Sequence, residues 1–300
     1  MRAFISLGAL AVAATLVSAQ QPGAPAQLSR EWYQQFSGAY SQPVEPFRIV
    51  GNIHYVGAAN IASYLITTPQ GHILIDTGMT EMHDVIKNSV AKLGFKTSDI
   101  RIMLSGHAHF DHIEGHAAMQ RLTGARVMAM ERDAEALERG KDTSAIGANG
   151  WEPVKVDRVL KNGDTVSLGG STLRAIHAPG HTQGATTWMA TVDDAGRRYT
   201  VAFVGGIGPN NGVPLIGNPR HTSVIEDTRM TFKRLKIEKE PDIVLIGHPQ
   251  AMFAGKVDRI KAGATPHPLL NGAEAWTKQL ADTEAAFEKR VAAERATIGK

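Results

Sequence analysis

The run HAHFDH, which begins at His107, places three histidines and one aspartate within six residues. An apolar segment at 102–104 precedes the run and predicts a short buried strand, and a helical pattern follows it. Sheets of α/β proteins carry their sites at the carboxyl ends of strands, so this position is typical of a functional loop. His107 and His109 are two residues apart and should point to the same side of an extended turn, whereas Asp111 and His112 lie past the bend. The run therefore predicts a metal-binding loop in an α/β protein.

Two later segments also place a histidine after an apolar strand. The segment TLRAIHAPGHTQG leads through a Pro-Gly turn to His181, and DIVLIGHP leads directly to His248. Imidazole and carboxylate are ligands that zinc accepts, and three protein ligands with one open position are typical of a catalytic site. Unconnected surface or core histidines would not explain why each follows an apolar strand. The sequence thus predicts two metal sites, with ligands His107, His109 and His181 for the first and Asp111, His112 and His248 for the second.

The hydrophobic pattern divides the chain into two strand-rich halves, each with helices. Alternating or continuous apolar runs predict strands at 47–50, 53–56, 64–67, 73–75, 102–104, 127–130, 165–168, 172–176, 186–192, 199–204 and 243–246. Helical spacing predicts helices at 81–93, 115–122, 133–139 and 222–235, and a C-terminal helix with Trp276, Leu280, Phe287 and Val291 on one face. Two such halves favour an αβ/βα sandwich, in which two sheets pack face to face with helices outside.

Composition limits the possible partners and the sources of stability. The chain has 300 residues with 43% hydrophobic content, which suits one large packed domain. Its formal charge of +3 is small, and no run of Lys and Arg alternates with aromatic residues, so a nucleic-acid partner is not expected. There is no cysteine, which excludes disulfides and leaves stability to the core and to bound metal.

The first residues resemble an export signal. Arg2 precedes an apolar run from about 3 to 17, and Val17-Ser18-Ala19 is a small-residue cleavage site, so 1–19 is predicted to be a signal peptide and the protein periplasmic or secreted. A membrane anchor is the alternative, but the run is shorter than the ~20 residues that span a bilayer, and no membrane span is expected elsewhere. An N-terminal segment at 20–46 and one domain at 47–300 complete the predicted organisation.

Four motifs together resemble one known family. HAHFDH, HAPGHTQG, LIDTG and IGHP are similar to the metallo-β-lactamase superfamily from about residue 47 to the end of the chain. Subclasses B1 and B2 use a cysteine ligand, which this chain lacks. Glyoxalase II and lactonases usually carry a bridging aspartate where this chain has Gly205-Gly206 in VAFVGGIGPNNG. The Asp-His-His set and the segment GNPRHTSVIEDTRMTF look most like the subclass B3 enzymes.

This resemblance implies a reaction as well as a fold. It implies a secreted hydrolase with two zinc ions per chain, which opens the β-lactam ring of penicillins, cephalosporins and carbapenems with a hydroxide held by the metals. Asp111 would bind the second zinc and orient the hydroxide. Many B3 enzymes carry serines where this chain has Gly206 and Gly208, so a lactone, thioester or other cyclic amide remains an alternative substrate. A non-catalytic zinc-binding protein is a second alternative, and the oligomeric state is left open.

Several further residues have predicted roles. The candidates for binding substrate are Gly206, Gly208, Asn210, Asn211 and Arg220. Asp76 in LIDTG, at a strand end, is expected to orient a ligand histidine. His116 is predicted to be a solvated helix position, and His177 to bind a backbone carbonyl. Aromatic residues that line the substrate or pack in the core, with neither role favoured, are Trp32, Tyr33, Phe36 and Trp151.

Overall fold

The structure is a computed structural model that describes residues 40–147, 150–272 and 274–298. Its strands, numbered β1 to β12 in chain order, are Phe47–Val50, Ile53–Tyr55, Tyr64–Thr68, Gly71–Ile75, Ile100–Leu104, Arg126–Met130, Arg158–Leu160, Thr165–Leu168, Ser171–His177, Thr186–Asp194, Arg197–Val204 and Ile243–Ile246. Its helices, numbered α1 to α8, are Met82–Lys92, Phe110–Ile113, His116–Thr123, Glu131–Arg139, Val224–Lys236, Gln250–Phe253, Val257–Lys261 and Ala275–Ile298.

The strands form two sheets. Strands β1 to β7 make a seven-stranded sheet in sequence order, which is antiparallel from β1 to β4 and parallel from β4 to β7. The other five strands make a second sheet in the order β12-β11-β10-β9-β8, antiparallel except for the parallel pair β11 and β12. Parallel pairs require a crossover, and in both sheets the crossovers contain helices.

The main core lies between the two sheets. Alternate residues of each strand face the opposite sheet, so Ile75 and Leu104 of the first sheet belong to the same buried cluster as Trp188 and Leu245 of the second. A second cluster joins the outer face of the first sheet to α1, α3 and α4. A third joins the outer face of the second sheet to α5 and α8. These four layers are the predicted αβ/βα sandwich, and the prediction of the fold is confirmed.

The C-terminal helix α8 packs against α5 through one face. Its buried residues are Trp276, Leu280, Phe287 and Val291, the four that the sequence places on one stripe. Within the part of the chain that the structure describes, no helix combines the length and the apolar composition needed to cross a membrane.

Four hydrogen bonds connect the two sheets at one end of the sandwich. The Tyr64 hydroxyl donates to the carbonyl of Ile246 over 2.7 Å, and the Trp188 indole donates to the carbonyl of Ser105 over 3.0 Å. The backbone N–H groups of Ala62 and Thr186 donate to Gly247 and Gly106 of the opposite sheet. These bonds hold the carboxyl ends of β5 and β12 close to the opposite sheet.

Gly205 lies where the two sheets come closest at that end. A Cβ atom at this position would lie 2.0 Å from the carbonyl oxygen of Gly106 and 2.5 Å from that of Thr186. Both contacts are with backbone, so a larger residue would force the sheets apart. This close approach, rather than an unusual φ, is the reason for the glycine.

The variant Gly205→Ala should therefore be less stable than the wild type. We expect its free energy of unfolding to fall by about 2 kcal/mol or more, the size of an overpacking penalty in a closely packed core. Chemical denaturation of the zinc-free proteins measures the difference. Gly272→Ala is the control, because a Cβ there meets no atom within 4 Å. Equal midpoints for all three proteins would contradict the close packing described here.

Candidate metal centre

The six predicted ligands meet at the end of the sandwich where the sheets are joined. His107, His109, Asp111 and His112 follow β5 of the first sheet, and His248 follows β12 of the second. His181 follows β9 after the Pro-Gly turn. Because these strand ends come from both sheets, the face-to-face packing itself assembles the cluster.

The first three histidines form a compact group. The ligand nitrogens of His107, His109 and His181 lie within 4.8 Å of one another. The ring centroids of His107 and His181 are 4.4 Å apart, and those of His109 and His181 are 4.7 Å apart. Three imidazoles at this spacing can bind one metal ion and leave a further position open.

Asp111 connects the other two predicted ligands. Its Oδ2 atom lies 3.4 Å from Nε2 of His112 and 3.4 Å from Nε2 of His248. His107 also lies close, with its ligand atom within 4.8 Å of those of Asp111 and His112. Asp111 and His112 are buried, whereas the side chain of His248 is 46% exposed and borders solvent. The two groups therefore adjoin each other, as a pair of neighbouring metal ions requires.

The hydrogen bonds of the histidines suit metal binding. His112 donates from Nδ1 toward Asp76, His181 from Nδ1 to the carbonyl of Gly208, and His248 from Nδ1 to the carbonyl of Asn60, at 3.1, 3.1 and 2.9 Å. Such a bond fixes the ring and leaves the other nitrogen free to bind a metal. In His112 that other nitrogen, Nε2, is buried and forms no hydrogen bond with the described residues, although the Asp111 carboxylate lies 3.4 Å away. The donor set and the position of this nitrogen fit zinc.

Burial keeps the first histidine group neutral. It lowers the pKa of His107 well below its ordinary value, lowers that of His181 to about 3, and lowers that of His109 in the same direction. Neighbouring histidines add to the shift of His107 and His181. Neutral imidazole is the form that binds a metal, so this group is ready to do so at pH 7.

The second group carries opposite charges. Burial acts to raise the pKa of Asp111, but His112 and His248 lower it well below its ordinary value. Burial acts to lower the pKa of His112, but Asp111 and Asp76 overcome this and raise it to about 10. In the metal-free protein a proton on His112 balances these buried carboxylates. A divalent cation can replace that proton, because metal binding displaces protons from its ligands.

Asp76 lies where the sequence predicts a residue that orients a ligand. It is buried directly after β4, and its Oδ1 atom accepts a hydrogen bond of 2.7 Å from the N–H of Gly106. Its Oδ2 atom is 3.1 Å from Nδ1 of His112. The residue has φ of 59°, in the left-handed region that costs a non-glycine residue energy. Its carboxylate thus contacts both the start of the ligand loop and one ligand.

Ser144 contacts a ligand but was not predicted from the sequence. Its hydroxyl lies 3.0 Å from Nε2 of His109, and its N–H donates to Oδ1 of Asp142 over 2.7 Å. Both residues are buried in the loop after α4. Their segment KDTSAIG has no periodic pattern, and the contact with His109 joins residues 35 positions apart. A Ser two residues after an Asp was the one available signal for a local turn.

The five predicted substrate residues lie in the connection between β11 and α5. Gly206 adjoins the ring of His181, and the carbonyl of Gly208 binds the same histidine. The carbonyl of Asn210 accepts a bond from Arg290 of α8, and Asn211 is exposed. Arg220 has its guanidinium group against Gly147 in the loop after α4. Gly206 and Gly208 therefore touch the first histidine group, whereas the structure gives no such contact for Asn210, Asn211 or Arg220.

The predicted roles of the two remaining histidines and of the aromatic residues have separate outcomes. His116 is buried, not solvated, because α3 turns it inward and its Nδ1 atom lies 2.7 Å from the hydroxyl of Thr77. His177 binds a backbone carbonyl as predicted, with Nε2 2.8 Å from the oxygen of Gln183. Trp151 is buried in the cluster between the first sheet and its helices, so it packs in the core. The predicted aromatic residues Trp32, Tyr33 and Phe36 lie outside the described residues.

Introducing the serine that many B3 enzymes carry should weaken the first histidine group. A Cβ at Gly206 would lie 2.7 Å from Cγ of His181, and the residue has φ of +132°. In Gly206→Ser we expect the zinc affinity of one site to fall about tenfold or more, the usual size of an effect that displaces a ligand. Competition with a chromophoric chelator measures it. Gly212→Ser is the matched control: its φ is +80°, but its Cβ would meet no atom within 4 Å. Equal losses in both variants would show that the contact with His181 is unimportant.

The arrangement suits hydrolysis assisted by two metal ions. Both groups are largely buried, adjoin each other where His107 meets Asp111 and His112, and border solvent at His248. The buried cluster contains neutral imidazoles to hold cations and one carboxylate that reaches both histidines of the second group. Two adjacent ions can activate water and polarise a carbonyl group at the same time.

Comparisons with known proteins agree with this geometry. The model of the metallo-beta-lactamase superfamily matches residues 56–248. A subclass B3 metallo-β-lactamase of Bradyrhizobium japonicum, BJP-1, superposes with a TM-score of 0.79 at 37% identity, over 88% of this chain and 99% of that one. The predicted similarity to subclass B3 is thereby confirmed.

Two curated relatives have more distant matches. A probable metallo-hydrolase of Burkholderia pseudomallei is 32% identical over 130 residues, which are 42% of this chain and 43% of that protein. An N-acyl homoserine lactonase of a Bacillus species is 25% identical over 214 residues, 62% of this chain and 79% of the lactonase. The chain thus spans less than half the length of the first of these proteins. The family model and the shared fold lead to one conclusion: this chain belongs to the metallo-β-lactamase superfamily.

Proposed function

We propose that the protein is a zinc-dependent hydrolase that opens the β-lactam ring of penicillins, cephalosporins and carbapenems. The observation that carries the proposal is the meeting of all six predicted ligands at one end of the sandwich, in two adjoining groups. Similarity to BJP-1 along 88% of this chain supports the β-lactam substrate. The metal we propose is zinc, with two ions per chain, because imidazole and carboxylate donors in groups of three suit it.

Each group has its own task in this proposal. His107, His109 and His181 would hold the first ion, and Asp111, His112 and His248 would hold the second. When bound, the two ions would polarise the amide carbonyl and lower the pKa of water to about 7. Asp111 also lies close to His107 of the first group, so one carboxylate oxygen could bind the second ion while the carboxylate orients the attacking water. Asp76 holds the ring of His112 in place through their 3.1 Å contact.

Substrate binding is proposed for the loop at 206–211 and for Arg220. The carbonyl groups of Pro209, Asn210 and Val213 accept hydrogen bonds from Arg290, so α8 fixes the shape of this loop beside His181. Arg220 is exposed near the end of the same connection between β11 and α5 and offers a positive charge beside Gly147. The carboxylate found in β-lactam antibiotics could pair with it. Gly206, Gly208, Asn210 and Asn211 would contribute backbone and amide groups.

A lactone is the second candidate substrate. The curated relatives include an N-acyl homoserine lactonase, matched over 62% of this chain. Lactone opening also needs attack of water on a polarised carbonyl, so the same ligands could serve it. The glycines at 206 and 208 provide no side chain that would select a β-lactam.

A panel of substrates separates the two candidates. The zinc-loaded protein is assayed with a penicillin, a cephalosporin, a carbapenem, an N-acyl homoserine lactone and a thioester, each with and without a chelator. We expect chelator-sensitive turnover with kcat/KM higher for at least one β-lactam than for the lactone and the thioester. The reverse order would make the protein a lactone or thioester hydrolase. Two bound zinc ions without turnover of any substrate would indicate a non-catalytic zinc-binding protein.

Export belongs to the same proposal. We propose that residues 1–19 are a signal peptide, that 20–46 lead into the domain at 47–300, and that the mature protein acts in the periplasm or outside the cell. Residues 1–39 lie outside the described part of the structure. Fractionation of cells that express the full chain, with N-terminal sequencing of the product, tests the cleavage after Ala19.

A further inference from the structure

Asp133 is a buried carboxylate that belongs to neither ligand group. It lies in α4, and only 1% of its surface is exposed. Its Oδ2 atom accepts hydrogen bonds from the N–H of Ala108 and the hydroxyl of Thr182, and its Oδ1 atom accepts one from the N–H of Gly184, each over 2.8 Å. Both oxygens are therefore used, and all three donors come from outside its own helix.

These donors lie in the two loops that carry the first histidine group. Ala108 is the residue between His107 and His109, and Thr182 directly follows His181. One side chain thus joins a loop at the end of β5 in the first sheet to the turn after β9 in the second. The relative position of these loops determines whether the three imidazoles can converge on one ion.

The energetic cost of burying the Asp133 carboxylate indicates that its hydrogen bonds have a specific role. A buried carboxylate loses its hydration, and burial raises the pKa of Asp133 to about 6 in spite of the three hydrogen bonds. Within the described part of the chain, Asp133 has no ion pair with Lys or Arg that would offset the loss. A residue needed only for the helix could face solvent, as Glu131 does in the same turn.

Gly184 shows independently that the turn is held close to α4. A Cβ atom at this position would lie 2.4 Å from the N atom of Asp133 and 2.7 Å from its Cβ and Cγ atoms. The backbone can approach the carboxylate this closely because residue 184 has no side chain. The glycine at position 184 therefore permits the close contact between the turn and the carboxylate of Asp133.

We propose that Asp133 is a positioning residue that sets the geometry of the first metal site by joining its two loops. The inference rests on the proposed zinc-binding function of His107, His109 and His181. It extends that function to a residue that touches no ligand side chain. The site is then preformed by hydrogen bonds before metal binds, and its affinity depends on α4.

The variant Asp133→Asn tests this directly. Asparagine has the same shape, but its NH2 group donates where the aspartate oxygen accepts, so it would face N–H or O–H groups and release one loop. We expect the affinity for one of the two zinc ions to fall about 10- to 100-fold, the usual loss when the support of a ligand is removed. Thr182→Val keeps the charge of Asp133 and removes one of its three hydrogen bonds. The zinc affinity of this variant should therefore also fall, but by a smaller factor.

The measurement is a chelator competition that resolves two zinc affinities, made on the wild type, both variants and Glu131→Gln. Glu131 is exposed in the same helix, and Glu131→Gln removes one negative charge as Asp133→Asn does. This variant should therefore bind zinc as the wild type does. Thermal unfolding of the zinc-free proteins is recorded alongside, because a purely structural role would lower the melting temperature and leave both affinities unchanged.

Each result decides between the two proposals. A selective loss of one zinc affinity in Asp133→Asn, with a smaller loss in Thr182→Val, supports the positioning role. Two unchanged affinities in Asp133→Asn overturn that role and leave the metal centre intact. A wild type that binds no zinc overturns the metal centre itself, and the positioning role with it.

Discussion

Replacing His109 by alanine is expected to reduce hydrolysis at least about a thousandfold. His109 is buried within the first histidine group, and its ring is fixed by Ser144 on one side and by its neighbours on the other. Its loss leaves two imidazoles for the first metal ion. Polarisation of a carbonyl by a bound ion contributes several kcal/mol, and each 1.36 kcal/mol is about tenfold in rate. Steady-state kinetics and metal analysis of the purified variant measure the two effects together.

The control for this variant is a histidine outside the cluster. His267 is part-buried, and its Nε2 atom lies 2.9 Å from the carbonyl of Ile49 at the edge of the first sheet. His267→Gln should retain full zinc content and near wild-type rates. A His109→Ala protein that still binds two zinc ions and hydrolyses its substrate at more than about a tenth of the wild-type rate would contradict the assignment of the first group.

Replacing Asp111 by asparagine is expected to reduce kcat about a hundredfold or more, the scale of a group that positions or deprotonates the nucleophile. The substitution keeps the shape of the side chain and removes the negative charge that both His112 and His248 face at 3.4 Å. The second zinc ion should bind more weakly, and the affinity for the first should change little. The pKa of His112, raised to about 10 by Asp111 and Asp76, should fall in the metal-free variant.

Metal content at increasing zinc concentration and kcat at saturating zinc separate these effects. Asp84→Asn is a suitable control, because Asp84 is exposed on α1 and its carboxylate pairs only with Lys87 among the described residues. If Asp111→Asn bound two zinc ions as tightly as the wild type and kept its kcat, Asp111 could be neither a ligand nor the residue that orients water.

The layered fold could be predicted because its strands have clear patterns. The last three residues of β5 and all four of β12 are continuous apolar runs, and each of these residues is buried or half-buried. Strand β7 was not predicted, because its sequence RVL is short and its first two residues are exposed. The helices α2, α6 and α7 have four or five residues each, too few for a helical period to be visible.

The six proposed ligands could be found because each follows a strand, and strand ends of packed sheets meet. His116 was misassigned for a related reason. Helical spacing places it four residues after His112, but the sequence does not reveal that Thr77 and the packing of α3 bury it. Side chains that support the ligands are harder to predict, because Asp133 reaches its partners across 25 to 51 positions and resembles a solvated helix residue.

The glycines at 205 and 206 illustrate the same limit. The sequence indicates that the bridging aspartate of lactonases is absent, but it gives no reason for two glycines. In the structure, Gly205 faces the backbone of Gly106 at a distance that excludes any Cβ, and Gly206 adjoins the ring of His181. Gly205 therefore depends on the contact between the sheets, and Gly206 on the contact with a turn of its own sheet, and both contacts exist only after folding.

Carbapenem hydrolysis during stepwise addition of zinc tests the central claim most directly. The metal-free protein, expressed without residues 1–19, receives zinc in steps, while bound metal and the loss of ring absorbance are recorded on the same sample. We expect activity to rise until two zinc ions are bound per chain and to disappear when a chelator removes them. A protein that binds two zinc ions and leaves the carbapenem, a penicillin and a cephalosporin intact would contradict the proposed β-lactam hydrolase.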